Sequence, residues 1–142
     1  MMDIQKYIDN PKLIKKHGME NNKEIILKIL HHNGGALKYA SSELKNNAEV
    51  VLKAVRNNSL SLKYASKELM NNKEFVVNAV LFIGLPFAKI KRKFYNDMDV
   101  IIASLGNNNC DRAFHFAGKT LKKSKLFRTT LTELGYDYRI YL

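Results

Sequence analysis

The sequence predicts an all-α fold: a short solenoid-like stack of about four 25-residue helical hairpin repeats with terminal capping helices. Three observations carry this. One unit is written almost twice over residues 21–70, as Asn-Asn-Lys-Glu-Ile-Ile-Leu-Lys…Leu-Lys-Tyr-Ala-Ser-Ser-Glu-Leu and then Asn-Asn-Ala-Glu-Val-Val-Leu-Lys…Leu-Lys-Tyr-Ala-Ser-Lys-Glu-Leu. Apolar residues inside each copy recur at helical spacing. Each copy also opens on Asn with an acidic residue three places on, the form of a capping box.

The elements follow in order. Ile4, Tyr7 and Ile8 form one apolar helical face, and Asp9-Asn10-Pro11 breaks it, with Asn10 as the expected N-cap of a second helix and Pro11 at its first position. That helix is expected to bury Leu13 and Ile14, expose Lys15, Lys16 and His17, and end at Gly18. In the first full repeat, Asn21 and Glu24 are expected to cap, Ile25, Ile26, Ile29 and Leu30 to face inward, and Gly34 and Gly35 to supply left-handed conformations after His31-His32-Asn33. Its second helix is expected to bury Leu37, Ala40 and Leu44, with Tyr39 on the flank. Repeat two copies this plan with Asn46, Glu49, Val50, Val51, Ala54 and Val55, then Leu62, Ala65 and Leu69; burial is expected to override the strand propensity of its valines.

Repeat three keeps Asn71, Glu74, Phe75, Val76, Ala79 and Val80, then departs. Leu81, Phe82 and Ile83 stand where its sisters carry His31-His32-Asn33 and Arg56-Asn57-Asn58, and the second helix reads Phe87, Ile90 and Phe94 inside. Repeat four opens on Asn96 with Asp99, has a turn two residues longer, and reads Phe114, Phe116, Ala117 and Leu121 in its second helix. A closing helix is expected to set Leu126, Phe127, Thr130, Leu131 and Leu134 on one face, to stop at Gly135, and to be followed by a Tyr-rich end packed back on the last repeat. Residues 1–142 thus read as a single helical-repeat domain, with caps at 1–20 and 123–142 and repeats at 21–45, 46–70, 71–95 and 96–122.

Composition bounds the function. A hydrophobic content of 46% suits a folded chain. The longest apolar run, 75–81, is interrupted by Asn78 and falls short of the roughly 20 residues of a membrane span. Residues 1–16 carry charges throughout, so no secretory signal is expected. The single cysteine, Cys110, excludes an internal disulfide and suits a reducing compartment, the cytoplasm or a host cytosol. The formal net charge is +11, and splitting at residue 70 gives +5 and +6, so the surplus is no basic tail.

The candidate sites are few. Lys89, Lys91, Arg92 and Lys93, with Lys119, Lys122, Lys123, Lys125 and Arg128, form the densest basic groups; stacked second helices would join them into an anion-binding ridge. Leu81, Phe82, Ile83 and Leu85 are an apolar cluster at a position that is polar in two sister repeats, which asks for a partner within the chain or outside it. His31-His32 is not expected to bind metal, because adjacent helical residues diverge by about 100° and no further donor sits at ligand spacing. Cys110 with His115 lacks a clear orienting carboxylate apart from Asp111. With no phosphate loop, serine elbow or carboxylate pair, neither an enzyme nor a cofactor is expected. The expected function is a non-enzymatic scaffold for a protein partner; the alternative is a nucleic-acid or anionic-surface binder.

The phrases at 46–55 and 62–69 resemble the repeats of the family catalogued as domain of unknown function 4116. The likeness is close over 21–70, fair over 71–80, and reduced to spacing over 81–122. It implies a helical repeat found in proteins of intracellular bacteria, protists and large DNA viruses, often in long arrays. It implies no activity.

Overall fold

The computed structural model describes residues 3–83, 90–105 and 110–141, and the side chains at 82–83, 110–112 and 140–141 fall outside that description. The described residues are helical, with no strand among them. They fall into two compact units, Met1–Asn72 and Lys73–Leu142, each described by itself.

In the first unit, α1 (Gln5–Asp9) and α2 (Leu13–Lys16) precede α3 (Lys23–His32), a 3₁₀ segment Gly34–Tyr39, α4 (Ser42–Lys45), α5 (Ala48–Asn57), and two more 3₁₀ segments, Ser59–Tyr64 and Leu69–Asn71. The core lies where α3 packs on α5: Ile26, Ile29, Leu30, Val50, Val51 and Ala54 are fully buried. At about 2 kcal/mol for each large aliphatic side chain, this interface is the main source of stability in the unit. Tyr7 is buried beneath it and its hydroxyl meets Nδ1 of His17 at 2.9 Å. Leu37 and Leu62 are buried as expected, and the Val50–Val55 run is helical.

Several expectations are corrected. The cap is the second asparagine of each pair: Oδ1 of Asn22 accepts from the N–H of Ile25, and Oδ1 of Asn47 from that of Val50. Asn21 and Asn46 stand one residue outside the helix. The first Asn is thereby released for longer-range work, and Asn46 accepts from the hydroxyl of Ser66 and donates to Glu68 at 3.2 Å. The second helix of the hairpin is not continuous. Ala40 and Ala65 are extended, and the serines that follow end one segment and start another: Oγ of Ser41 accepts from Leu44 N–H and Oγ of Ser66 from Leu69 N–H. Serine competes for backbone groups in this way, so it breaks a helix that spacing alone would carry through.

Gly34 and Gly35 adopt no left-handed conformation; the positive-φ glycines among the described residues are Gly18 and Gly135, both at helix ends. Gly34 is needed for close approach instead, since a Cβ there would sit 2.3 Å from the carbonyl oxygen of Ala54. Asn10 is not an N-cap: its carbonyl accepts from Leu13 N–H in a turn, and α2 begins two residues after Pro11.

The second unit holds α6 (Lys73–Ile83), a 3₁₀ segment Arg92–Asn96, α7 (Met98–Leu105), α8 (Cys110–Phe116), α9 (Lys119–Lys123), α10 (Lys125–Glu133) and a 3₁₀ segment Tyr138–Tyr141. Phe75, Val76, Ala79 and Val80 of α6 pack on Val100 and Ile101 of α7. Asp97, not Asn96, caps α7. The closing helix buries Phe127 and Leu131, whereas Leu126 and Leu134 are 65% and 52% exposed, because a helix with one buried face turns the residue before Phe127 outward and Leu134 lies past its last turn. Tyr136 does fold back, its hydroxyl donating to the Leu105 carbonyl at 3.3 Å and its ring edge-on to Phe114.

Among the described residues two buried side-chain oxygens lack a hydrogen-bond partner, Oε2 of Glu20 and the hydroxyl of Ser61. The Ser61 hydroxyl is sealed from solvent without a hydrogen bond, at the position where the first repeat buries Ala36. Ser61→Ala should therefore raise stability by about 1 kcal/mol, read as a higher urea midpoint at unchanged slope.

Candidate functional site

The apolar candidate is only partly visible. Leu81, near the end of α6, is 45% exposed; the side chains of Phe82 and Ile83, and Leu85 altogether, lie outside the described residues, as do Phe87 and Lys89. Sequence reasoning missed Leu60, which is 62% exposed in the turn of repeat two. Its signal was available, because the first repeat has Gly35 at that place.

The basic candidates gather in the second unit. Lys91 is half-buried, and Arg92 and Lys93 are exposed on the 3₁₀ segment that follows it; Lys93 Nζ lies 4.6 Å from the centroid of the Phe94 ring. That segment packs against α9, which carries Lys119, Lys122 and Lys123, and α9 packs against α10, which carries Lys125 and Arg128. Two hydrogen bonds fix the joint: Gly118 N–H donates to the Tyr95 carbonyl at 2.7 Å, and Leu121 N–H to Oδ1 of Asn96 at 3.4 Å. The Arg128 Nε–H donates to the Lys122 carbonyl at 2.8 Å, and its guanidinium lies 5.7 Å from the Tyr138 ring centroid. The joint was hidden in the sequence, because Gly118 stands where the first repeats have a capping serine.

Three acidic groups of this unit are engaged elsewhere. Lys73 Nζ lies 2.6 Å from Asp99 and 2.9 Å from Asp97, and these hydrogen bonds, Asp99 first, hold its ammonium above the ordinary lysine range. A raised lysine value means that what the contact adds is fully present at neutral pH and is lost only as pH climbs through that raised value. Asp137 is held below the usual carboxylate range by Arg139, 2.8 Å away.

The remaining candidates are not brought into a site. The rings of His31 and His32 meet edge-on at 4.8 Å, both exposed, and the described residues contain no group of three or more His, Cys, Asp and Glu able to hold a metal ion. The backbone of α8 sets positions 110 and 115 about 140° apart around its axis. His115 is exposed against Phe116. No helix among the described residues is long and apolar enough to cross a membrane.

Residues 22–70 and 49–87 each match the model of the family described as domain of unknown function (DUF4116). The likeness to this family thus spans residues 22–87. Within 22–70, both copies have the helix cap on the second asparagine and the break at the serine. None of the curated proteins and none of the solved structures compared with the chain matches it.

The joint itself is testable. A Cβ at Gly118 would fall 1.9 Å from Oδ1 of Asn96, so Gly118→Ala must displace that side chain and release Leu121 N–H. It should cost about 1–3 kcal/mol in urea unfolding. Combined with Asn96→Ala, which removes the obstacle, the two costs should fall short of their sum by at least about 0.5 kcal/mol.

Proposed function

We propose that the chain is a non-enzymatic interaction scaffold in which successive DUF4116-type hairpins stack as a short solenoid and present a surface to a protein partner. The observation that carries this reading is the division of labour within the module. Positions that hold it together agree between the two near-identical copies: Leu37 and Leu62 are buried, and Ser41 and Ser66 each close a backbone bond to the residue before the asparagine pair. Positions at and just before the turn differ, and there Leu60 and Leu81 are in large part exposed. Leu60 replaces Gly35, and Leu81 stands where the earlier copies have His31 and Arg56. Exposed leucines, one in each unit, support a contact with another protein more than they support catalysis.

The test is capture from lysate by the tagged chain, with and without nuclease, compared with a Leu60→Ser/Leu81→Ser variant. Each leucine buried in an interface is worth about 1.5–3 kcal/mol, so the variant should bind its protein partner at least about tenfold more weakly, with or without nuclease. Capture that nuclease abolishes, or that the variant retains in full, would contradict the reading.

A further inference from the structure

We propose that the basic surface formed by the Arg92–Asn96 segment, α9 and α10 binds the sugar-phosphate backbone of single-stranded nucleic acid. The first reason is placement. Arg92 and Lys93 are remote in sequence from Lys119, Lys122 and Lys123, yet the Gly118–Tyr95 and Leu121–Asn96 bonds hold their elements against each other. The charges therefore sit on a fixed frame and are not dispersed on a tail. The second reason is that the charge there is little cancelled, Glu133 at the last position of α10 being the one acidic residue these described elements carry. Asp97 and Asp99 are bound to Lys73, Asp137 is bound to Arg139, and among the described residues Arg92, Lys119, Lys122, Lys123 and Lys125 form no ion pair.

The third reason is aromatic. At the same joint the rings of Tyr95 and Phe116, both half-buried, lie 5.5 Å apart. Lysines that track phosphates, next to partly exposed rings on which bases stack, are the two ingredients of sequence-tolerant single-strand binding. A membrane surface fits less well. An interfacial helix needs a continuous apolar face for the acyl boundary; α10 turns Phe127 and Leu131 into the core of its own unit and leaves outside only Leu126 and Leu134, eight residues apart with Thr130 between them.

The experiment is fluorescence anisotropy of the full chain with a labelled random-sequence RNA of about 16 nucleotides, titrated at several salt concentrations. With roughly five phosphates neutralised, binding should weaken about 100-fold between 50 and 200 mM salt. Lys119→Gln/Lys122→Gln/Lys123→Gln/Lys125→Gln should weaken binding at least about tenfold and flatten the logarithmic salt slope by about 3. A Lys12→Gln/Lys15→Gln/Lys16→Gln/Lys53→Gln variant loses the same charge from the other unit and should change affinity less than about threefold. The four Lys→Arg changes at 119, 122, 123 and 125 should preserve it, and far-UV circular dichroism checks that each variant keeps its helices. If the first glutamine variant does not fold, Lys119→Glu and Lys123→Glu, each alone, replace it with the same expected direction. Equal losses in both glutamine variants would reduce the effect to bulk charge and overturn the proposal. So would absence of RNA binding, including the case in which the chain sediments with vesicles containing phosphatidylserine instead.

Discussion

One backbone hydrogen bond recurs at the same place in the module and the rest of the architecture is arranged around it. The residue before the asparagine pair, or before Asn96-Asp97, offers its carbonyl, and the residue after the extended alanine, or the corresponding glycine, donates its N–H: Ser41 to Glu20, Ser66 to Lys45 and Gly118 to Tyr95, at 2.7–2.9 Å. Each bond ties the end of a hairpin to its start. The chain can reach that carbonyl only if the second helix breaks beforehand, which is why an extended residue and a capping serine lie where a continuous helix would otherwise run. Burial of the α3–α5 side chains supplies far more free energy than any of these bonds, at roughly 2 kcal/mol per large side chain against about 1 for a hydrogen bond. The bond contributes register: it selects which of several oily arrangements is adopted.

Asparagine does the complementary work between successive copies. The Asn57 side-chain amide reads two backbone groups of the preceding repeat at once, accepting from Gly34 N–H at 2.7 Å and donating to the His31 carbonyl at 2.9 Å. Asn33 makes the same kind of reach one copy earlier, donating to the Ile8 carbonyl. Gly34 completes the fit by having no Cβ where the Ala54 carbonyl must pass. A substitution at any of these residues removes no oil from the core, yet leaves a backbone group short of its partner.

The core was legible in the sequence because helical periodicity depends on one face at a time. Ile26, Val50, Phe75 and Val100 could be assigned inward without knowing what covered them. Cap identity was less legible, because two adjacent asparagines are equivalent candidates until the first is seen to have a partner elsewhere, as Asn46 does in Ser66. The break in the second helix was hidden for a similar reason: Leu37, Ala40 and Leu44 keep helical spacing on both sides of Ser41, so period reports a common buried side and not continuity. Of the candidate surfaces, the basic residues were readable as two clusters, but their junction rests on Gly118 and Asn96, which have no signature of their own. Leu60 was overlooked because a lone apolar residue in a turn is ordinary until its exposure is known.

The account rests on the hairpin-closing bonds being structural and not incidental. Native-state hydrogen exchange by NMR measures them amide by amide. The N–H groups of Ser41 and Ser66, together with that of Gly34, should exchange only through the same large opening that exposes Ile29 and Val51 in α3 and α5, with matching opening free energies. Exchange of these three amides at the rate of an unstructured turn, while α3 and α5 stay protected, would contradict it.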